Sequence, residues 1–314
     1  MSTELSVRPM QEADLDAADR VFRLAFGTEF GLPDPASFRG DADLLRPRWR
    51  TNPPGCFVAE AGGEVVGSVT VMHWGSLAVL GPLSVRPDFW NRGVARLLLP
   101  PALAAAEAWG AAVVGLFTNP SSPRHIRLYE EAGFETHHLI AAMSKPVAPG
   151  AAAEAPVLFS ALEAGAREAA LAECRNVAEA SFPGLDLGRE IRAATEQGVG
   201  DTVLLRGDAG RITGFALCHS GPGSESGSEA AVVKFGAVRP GDVAGFGALL
   251  RAVDALAAAR GAPQVVASVN HARRDAYAAM KAAGFRTVVS GVALRRPGPG
   301  GYDRPEVLVT DEWR

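Results

Sequence analysis

Two clusters of residues in this chain have the types and spacing for chemistry. The first is Trp90-Asn91-Arg92-Gly93-Val94-Ala95-Arg96, which follows the apolar strand end Leu83-Ser84-Val85 and the stop Arg86-Pro87-Asp88. From Val94 onward the apolar positions recur at helical spacing. A glycine at such a strand-to-helix turn lets the backbone approach an anion, and the first NH groups of the helix have no internal partner. Those donors suit a pyrophosphate, with Arg92 and Arg96 adding charge. Each helix-end contact contributes only about 0.3–1 kcal/mol and micromolar binding needs roughly 8 kcal/mol, so the rest of the ligand must supply much of the affinity. The second cluster is Leu128-Tyr129, four residues before the pair Gly133-Phe134, where a phenol could donate a proton. No Lys-Ser or Lys-Thr follows the glycine, which excludes a P-loop, and Gly-x-Gly-x-x-Gly is absent. Taken singly, Gly93 is equally a turn glycine and Tyr129 a packed core tyrosine.

In this order, strand end, glycine loop, Asn119 and Leu-Tyr-x-x-x-Gly-Phe, the residues resemble the acyl-CoA site of the GNAT superfamily of N-acetyltransferases. The family's loop is written Gln/Arg-x-x-Gly-x-Gly/Ala; Gly93 and Ala95 fit it, and Trp90 replaces its first residue. The resemblance implies acetyl-CoA as cosubstrate, without a metal, held by Leu83, Ser84, Val85, Arg92, Gly93, Val94, Ala95, Arg96 and Asn119. It also implies that Tyr129 protonates the departing thiolate. An amine with a lysine-like pKa costs about 4.6 kcal/mol to deprotonate at neutral pH, so a base is expected. The strand Leu77 to Val85 holds no carboxylate, and His73, Glu29 and Glu60 are the candidates. Acetyl transfer to a primary amine of a small molecule or peptide is the leading expectation. A non-catalytic acyl-CoA binding or sensing protein and a transferase of longer acyl chains are its rivals.

The elements that position these residues occur twice. Val113 to Asn119 aligns with Gln264 to Asn270, and the same offset carries Ala132-Gly133-Phe134 onto Ala283-Gly284-Phe285, since 270 − 119 = 284 − 133. Val85-Arg86-Pro87 matches Val238-Arg239-Pro240, and Gly93-Val94-Ala95 matches Gly245-Phe246-Gly247. The expected fold is therefore α/β (an α+β mixed sheet) in two tandem GNAT-like domains, 1–147 and 156–314, each a twisted sheet flanked by helices. A Pro/Ala-rich linker, Pro146 to Ala155, joins them, and Gly221 to Ser228 reads as a mobile loop. The second copy has Met280 where the first has Tyr129, with Tyr277 nearly a turn earlier, and its loop lacks basic residues. It reads as degenerate, still able to line the acceptor site. Pro100 and Pro101 are expected to bend or break the helix behind the loop. The first copy lacks a separate final strand, and Val307 to Thr310 could serve either sheet.

A chain of 314 residues suits two cores, and a net charge of −4 gives no footprint for nucleic acid. The apolar run Leu97 to Phe117 is interrupted by Pro100, Pro101 and Glu107, so no membrane span is expected. Cys56, Cys174 and Cys218 have no metal-like spacing and are expected reduced and buried, and His137-His138 lies on a strand surface. With no secretory signal at Met1 to Glu4, a cytoplasmic monomer or homodimer is expected.

Overall fold

The computed structural model describes residues 4–147, 155–207 and 210–314; most of the expected linker lies outside them. The elements run β1 (Leu5–Pro9), α1 (Leu15–Glu29), α2 (Leu45–Thr51), β2 (Cys56–Ala61), β3 (Glu64–Trp74), β4 (Leu77–Val85), α3 (Val94–Ala108), β5 (Val113–Thr118), α4 (Pro123–Glu131) and β6 (Glu135–Pro146). A similar series follows: β7 (Val157–Leu158), α5 (Ala164–Ser181), α6 (Gly188–Glu196), β8 (Gly200–Arg206), β9 (Ile212–Gly221), β10 (Gly227–Val238), α7 (Val243–Ala259), β11 (Gln264–Asn270), α8 (Arg274–Ala282), β12 (Arg286–Arg295) and β13 (Val309–Asp311). It is a mixed α/β fold, with a mixed sheet flanked by helices.

All the strands belong to one sheet, in the order β1-β2-β3-β4-β5-β12-β6-β11-β10-β9-β8-β7, with β13 against β10. At its centre the two series exchange strands. β12 runs antiparallel to β5, from Val292 opposite Thr118 to Arg295 opposite Gly115, while β6 runs antiparallel to β11. β12 and β6 also pair with each other. The final strand missing from the first series is thus supplied by β12, whereas residues 309–311 pair in the second.

Apolar periodicity distributes the cores. One joins both series across the sheet, with Trp74, Leu77, Val79 and Val113 against Phe159, Leu171, Phe215 and Phe235. A second lies under α3 and α4 (Val94, Leu98, Leu116, Tyr129, Phe134), a third under α7 and α8 (Phe246, Leu249, Val253, Met280, Phe285). The cysteines are free and buried, and burial pushes each thiol up to about 12.

Two local expectations change. α3 is not broken at Pro100 and Pro101 but runs through them as a single helix. Arg96 and Leu97, whose carbonyls lose their helical donors there, lie on the exposed face, where water can replace the missing NH. Nor does the segment Gly221 to Ser228 project into solvent: Ser224, Glu225 and Ser226 are buried. Glu225 accepts from Arg48 of α2 at 2.7 Å and faces Lys234, which pairs with Glu190 at 2.9 Å. Glycine and serine make this turn adaptable, and the buried charges fix it in place.

Candidate active site

β4 and β5 are parallel neighbours only from Leu77–Val113 to Leu80–Leu116. Beyond that point Leu83, Ser84 and Val85 remain paired to β3 alone, and Phe117 and Thr118 turn to β12. The strands diverge into a cleft, and among the described residues the edge of β4 facing it has no strand partner. Ser84 directs its hydroxyl away, to Ser68 at 3.2 Å, so only its backbone is available.

The loop at the mouth of this cleft takes the conformation expected of an anion cradle. Asn91 (φ 63°) and Gly93 (φ 81°) are both left-handed, and Gly93 is the N-cap of α3. No side chain caps this helix, and the NH groups of Val94, Ala95 and Arg96 have no partner among the described residues. A Cβ built on Gly93 would meet nothing within 4 Å, which leaves room for a bulky anion in front of the turn. Val94 is buried and anchors the helix against β3. Trp90 holds the loop by donating its indole NH to the Val85 carbonyl at 2.6 Å.

The charged side chains gather less tightly. Arg92 stacks on Phe89 at 4.9 Å, exposed beside the cradle. Arg96 is paired with Glu131 of α4 at 2.7 Å, so its charge is partly compensated. Arg124, which sequence reasoning missed, lies over the Trp90 ring at 5.0 Å at the start of α4, its charge partly compensated by Glu29. Its only signal was the place of that helix opposite the loop.

Tyr129 lies under α3, 9% exposed, edge-on to Phe134 at 6.0 Å. Its hydroxyl makes no hydrogen bond among the described residues, and burial pushes its pKa up to about 12. A phenol in that state stays protonated near neutrality and can only donate. Asn119 is exposed at the end of β5, where its side-chain oxygen accepts from the Ser121 NH at 2.9 Å and leaves its amide NH₂ free.

The candidate bases do not gather here. His73 pairs with Ala78, five residues before Leu83 and so roughly 17 Å away along the strand, and stacks on Trp109 at 4.6 Å. Glu60 is ion-paired with Arg8 on β1 at 2.6 Å, beyond β3. Glu29 is paired with Arg124. None therefore faces the β4–β5 cleft as a free proton acceptor. His137 and His138 lie on β6 with rings 6.3 Å apart, and no group of three or more potential metal ligands occurs among the described residues. Among the described residues no helix is long and apolar enough to cross a membrane.

Comparison with known proteins bears on the family and the fold. Residues 19–134 match the family described as Acetyltransferase (GNAT) family. Acetyltransferase ECA0875 of Pectobacterium atrosepticum is 34% identical over 104 residues, which span 30% of this chain and 74% of that protein. A solved structure from Pyrococcus horikoshii superposes with a TM-score of 0.69 at 15% identity, covering 98% of this chain and 95% of that one. A GCN5-related N-acetyltransferase from Sphaerobacter thermophilus gives 0.61 at 21% identity, covering 94% and 97%. At those identities the two structures speak for the fold alone, and the sequence relative and the family match carry the assignment: the chain belongs to the GNAT family and is an acetyltransferase that draws its acetyl group from acetyl-CoA.

Proposed function

We propose that this protein transfers acetyl to a primary amine of a small molecule or peptide, and that the chemistry belongs to residues 1–147. Residues 156–314 are read as a second, degenerate GNAT-like domain. The observation that carries this reading is an uncapped, glycine-led helix N-terminus next to the point where β4 and β5 part, with a buried tyrosine in the core beneath the same helix.

In this reading the NH groups of Gly93 to Arg96, with Arg92 and Arg124, hold the pyrophosphate, and the free edge Leu83–Val85 lies along the pantetheine. Asn119 offers its amide at the acetyl end. As the amine nitrogen bonds to the acetyl carbon and the carbon–sulfur bond breaks, Tyr129 gives its proton to the sulfur. The amine's own proton leaves through solvent, since His73, Glu29 and Glu60 are each engaged elsewhere. Holding the reactants together is the largest contribution asked of the protein, and the tyrosine adds general-acid assistance.

The second series supports a role in shaping the acceptor side. The segment after α1 is tied to it: Asp41 accepts from the Ser228 NH at 2.9 Å, and Arg39 donates to the Glu225 carbonyl at 3.2 Å. Met280 occupies the place of Tyr129 and is fully buried, with no proton to give. The test is thiol release from acetyl-CoA across a panel of amines, with the product mass identifying an N-acetyl amide. Wild-type release on one class and a loss in Tyr129→Phe support the reading. Release without amide formation would contradict it.

A further inference from the structure

β10 and β11 separate as β4 and β5 do. They are parallel only from Ala231–Val265 to Val233–Ala267, but here the gap beyond is filled. β13 lies in it, antiparallel to β10, with Phe235, Gly236 and Ala237 opposite Asp311, Thr310 and Val309. Glu312 donates its NH to the Lys234 carbonyl at 2.9 Å, and Val238 and Gly241 donate theirs to Leu308 and Glu306 at 3.2 and 3.1 Å. On the β11 side Thr310 donates its hydroxyl to the Ser268 carbonyl at 2.7 Å, and Ser268 donates to Glu312 at 2.9 Å. The segment is sealed in: Val307, Leu308, Val309, Thr310 and Asp311 are at most 1% exposed.

Several of these contacts fall where the first cleft has a free group. Aligning Val85-Arg86-Pro87 with Val238-Arg239-Pro240 places residues 235–237 on 82–84, the edge left open in the first series. Asn270 makes the same turn as Asn119, accepting from the Ala272 NH at 2.9 Å, but its amide donates to Asp303 at 3.0 Å. At the start of α7 the Asp242 carboxylate accepts from the Gly245 NH at 2.8 Å, so a fixed negative charge stands where α3 offers bare donors. Arg273, fully buried, holds Asp311 at 2.6 Å, and Tyr302 donates to the same carboxylate at 2.7 Å. Arg295 holds Asp303 at 2.7 Å.

We propose that residues 302–312 are the resident ligand of the second cleft: a peptide of this chain, bearing the carboxylates Asp303 and Asp311, occupying the position that acyl-CoA takes in the first. The proposal rests on the reading of the first cleft given above. It assigns the second cleft a structural occupant and leaves no vacancy for a second acyl-CoA. It also explains why β10 and β11 keep the diverging geometry although Tyr129 and the basic loop have no counterparts there.

Hydrogen–deuterium exchange on the intact chain, without and with saturating acetyl-CoA, tests it. The expected result is that amides 307–312 exchange roughly 10³-fold or more slowly than an unstructured peptide in both states, while amides 93–96 slow only when acetyl-CoA is present. If 307–312 exchange freely, or lose protection when acetyl-CoA is added while 93–96 gain it, the segment is displaceable and the proposal is overturned, with the first cleft intact. If 93–96 are unchanged by acetyl-CoA, the reading of the first cleft fails, and with it the description of the second as its filled counterpart.

Discussion

Tyr129 is the residue on which the proposed chemistry turns. Its hydroxyl is unengaged and its pKa is raised to about 12 by burial, so removing the oxygen alone deletes a donor and little else. Tyr129→Phe is expected to lower kcat by roughly 10²-fold or more while leaving the KM for acetyl-CoA near its wild-type value, because only a group acting in the transition state is lost. Steady-state kinetics on the acceptor found in the amine panel checks this, and wild-type kcat would remove Tyr129 from the mechanism. Tyr129, Gly93 and Asn119 could be named as candidates from the sequence because their types and order are set by local chemistry. Arg124 and the fates of His73, Glu29 and Glu60 were not, since each depends on a partner from a distant segment: Trp90, Trp109, Arg124 and Arg8.

Among the elements, β12 has the largest consequence. β5 finds its second neighbour only in residues 292–295, and β6 finds one of its neighbours only in β11. A fragment ending at residue 147 would leave β5 and β6 with bare edges and strip the central core of Phe159, Phe215 and Phe235. Such a fragment is expected to aggregate or lose acceptor turnover, as size-exclusion chromatography with the amide assay would show; a stable, monomeric, fully active fragment would contradict this. Strand periodicity gave β4 its observed limits, Leu77–Val85. It could not reveal the exchange, because register between remote strands leaves no local pattern. α2 escaped notice for a similar reason. It is a short helix carrying Pro47 and three arginines, and it is held by Arg48 reaching the Gly81 carbonyl at 2.6 Å and Glu225.

The whole molecule is joined through buried charge. Burial by itself would raise the pKa of Glu225, but Arg48 and Lys234 hold it well below the usual carboxylate range. Burial and the nearby Lys234 push His219 down to about 3. Its folded pKa lies below the ordinary value, so the unfolded chain binds the proton more readily. The stability contributed by neutral His219 is present above about pH 6.5 and is lost as pH falls toward 3, at about 1.4 kcal/mol per unit. Between pH 7.5 and 5.0 wild type should lose about 2 kcal/mol more than His219→Leu in urea unfolding, Glu225 being common to both. Equal losses would place His219 outside the coupling. Composition showed two cores' worth of chain, but this cluster was not visible in it, because the Gly/Ser-rich turn that delivers Glu225 has the composition of an exposed loop.

The central claim, acetyl-CoA held once per chain at the start of α3, is tested most directly by titration calorimetry of acetyl-CoA into wild type, Gly93→Asn and Gly93→Glu. Asparagine tolerates the left-handed conformation that Gly93 adopts at φ 81°, so Gly93→Asn controls for backbone strain. Gly93→Glu adds a carboxylate in the open space before the helix. One site per chain in wild type, retained in Gly93→Asn and abolished in Gly93→Glu, is the expected result. Two equivalent sites, or unchanged affinity in Gly93→Glu, would contradict the account.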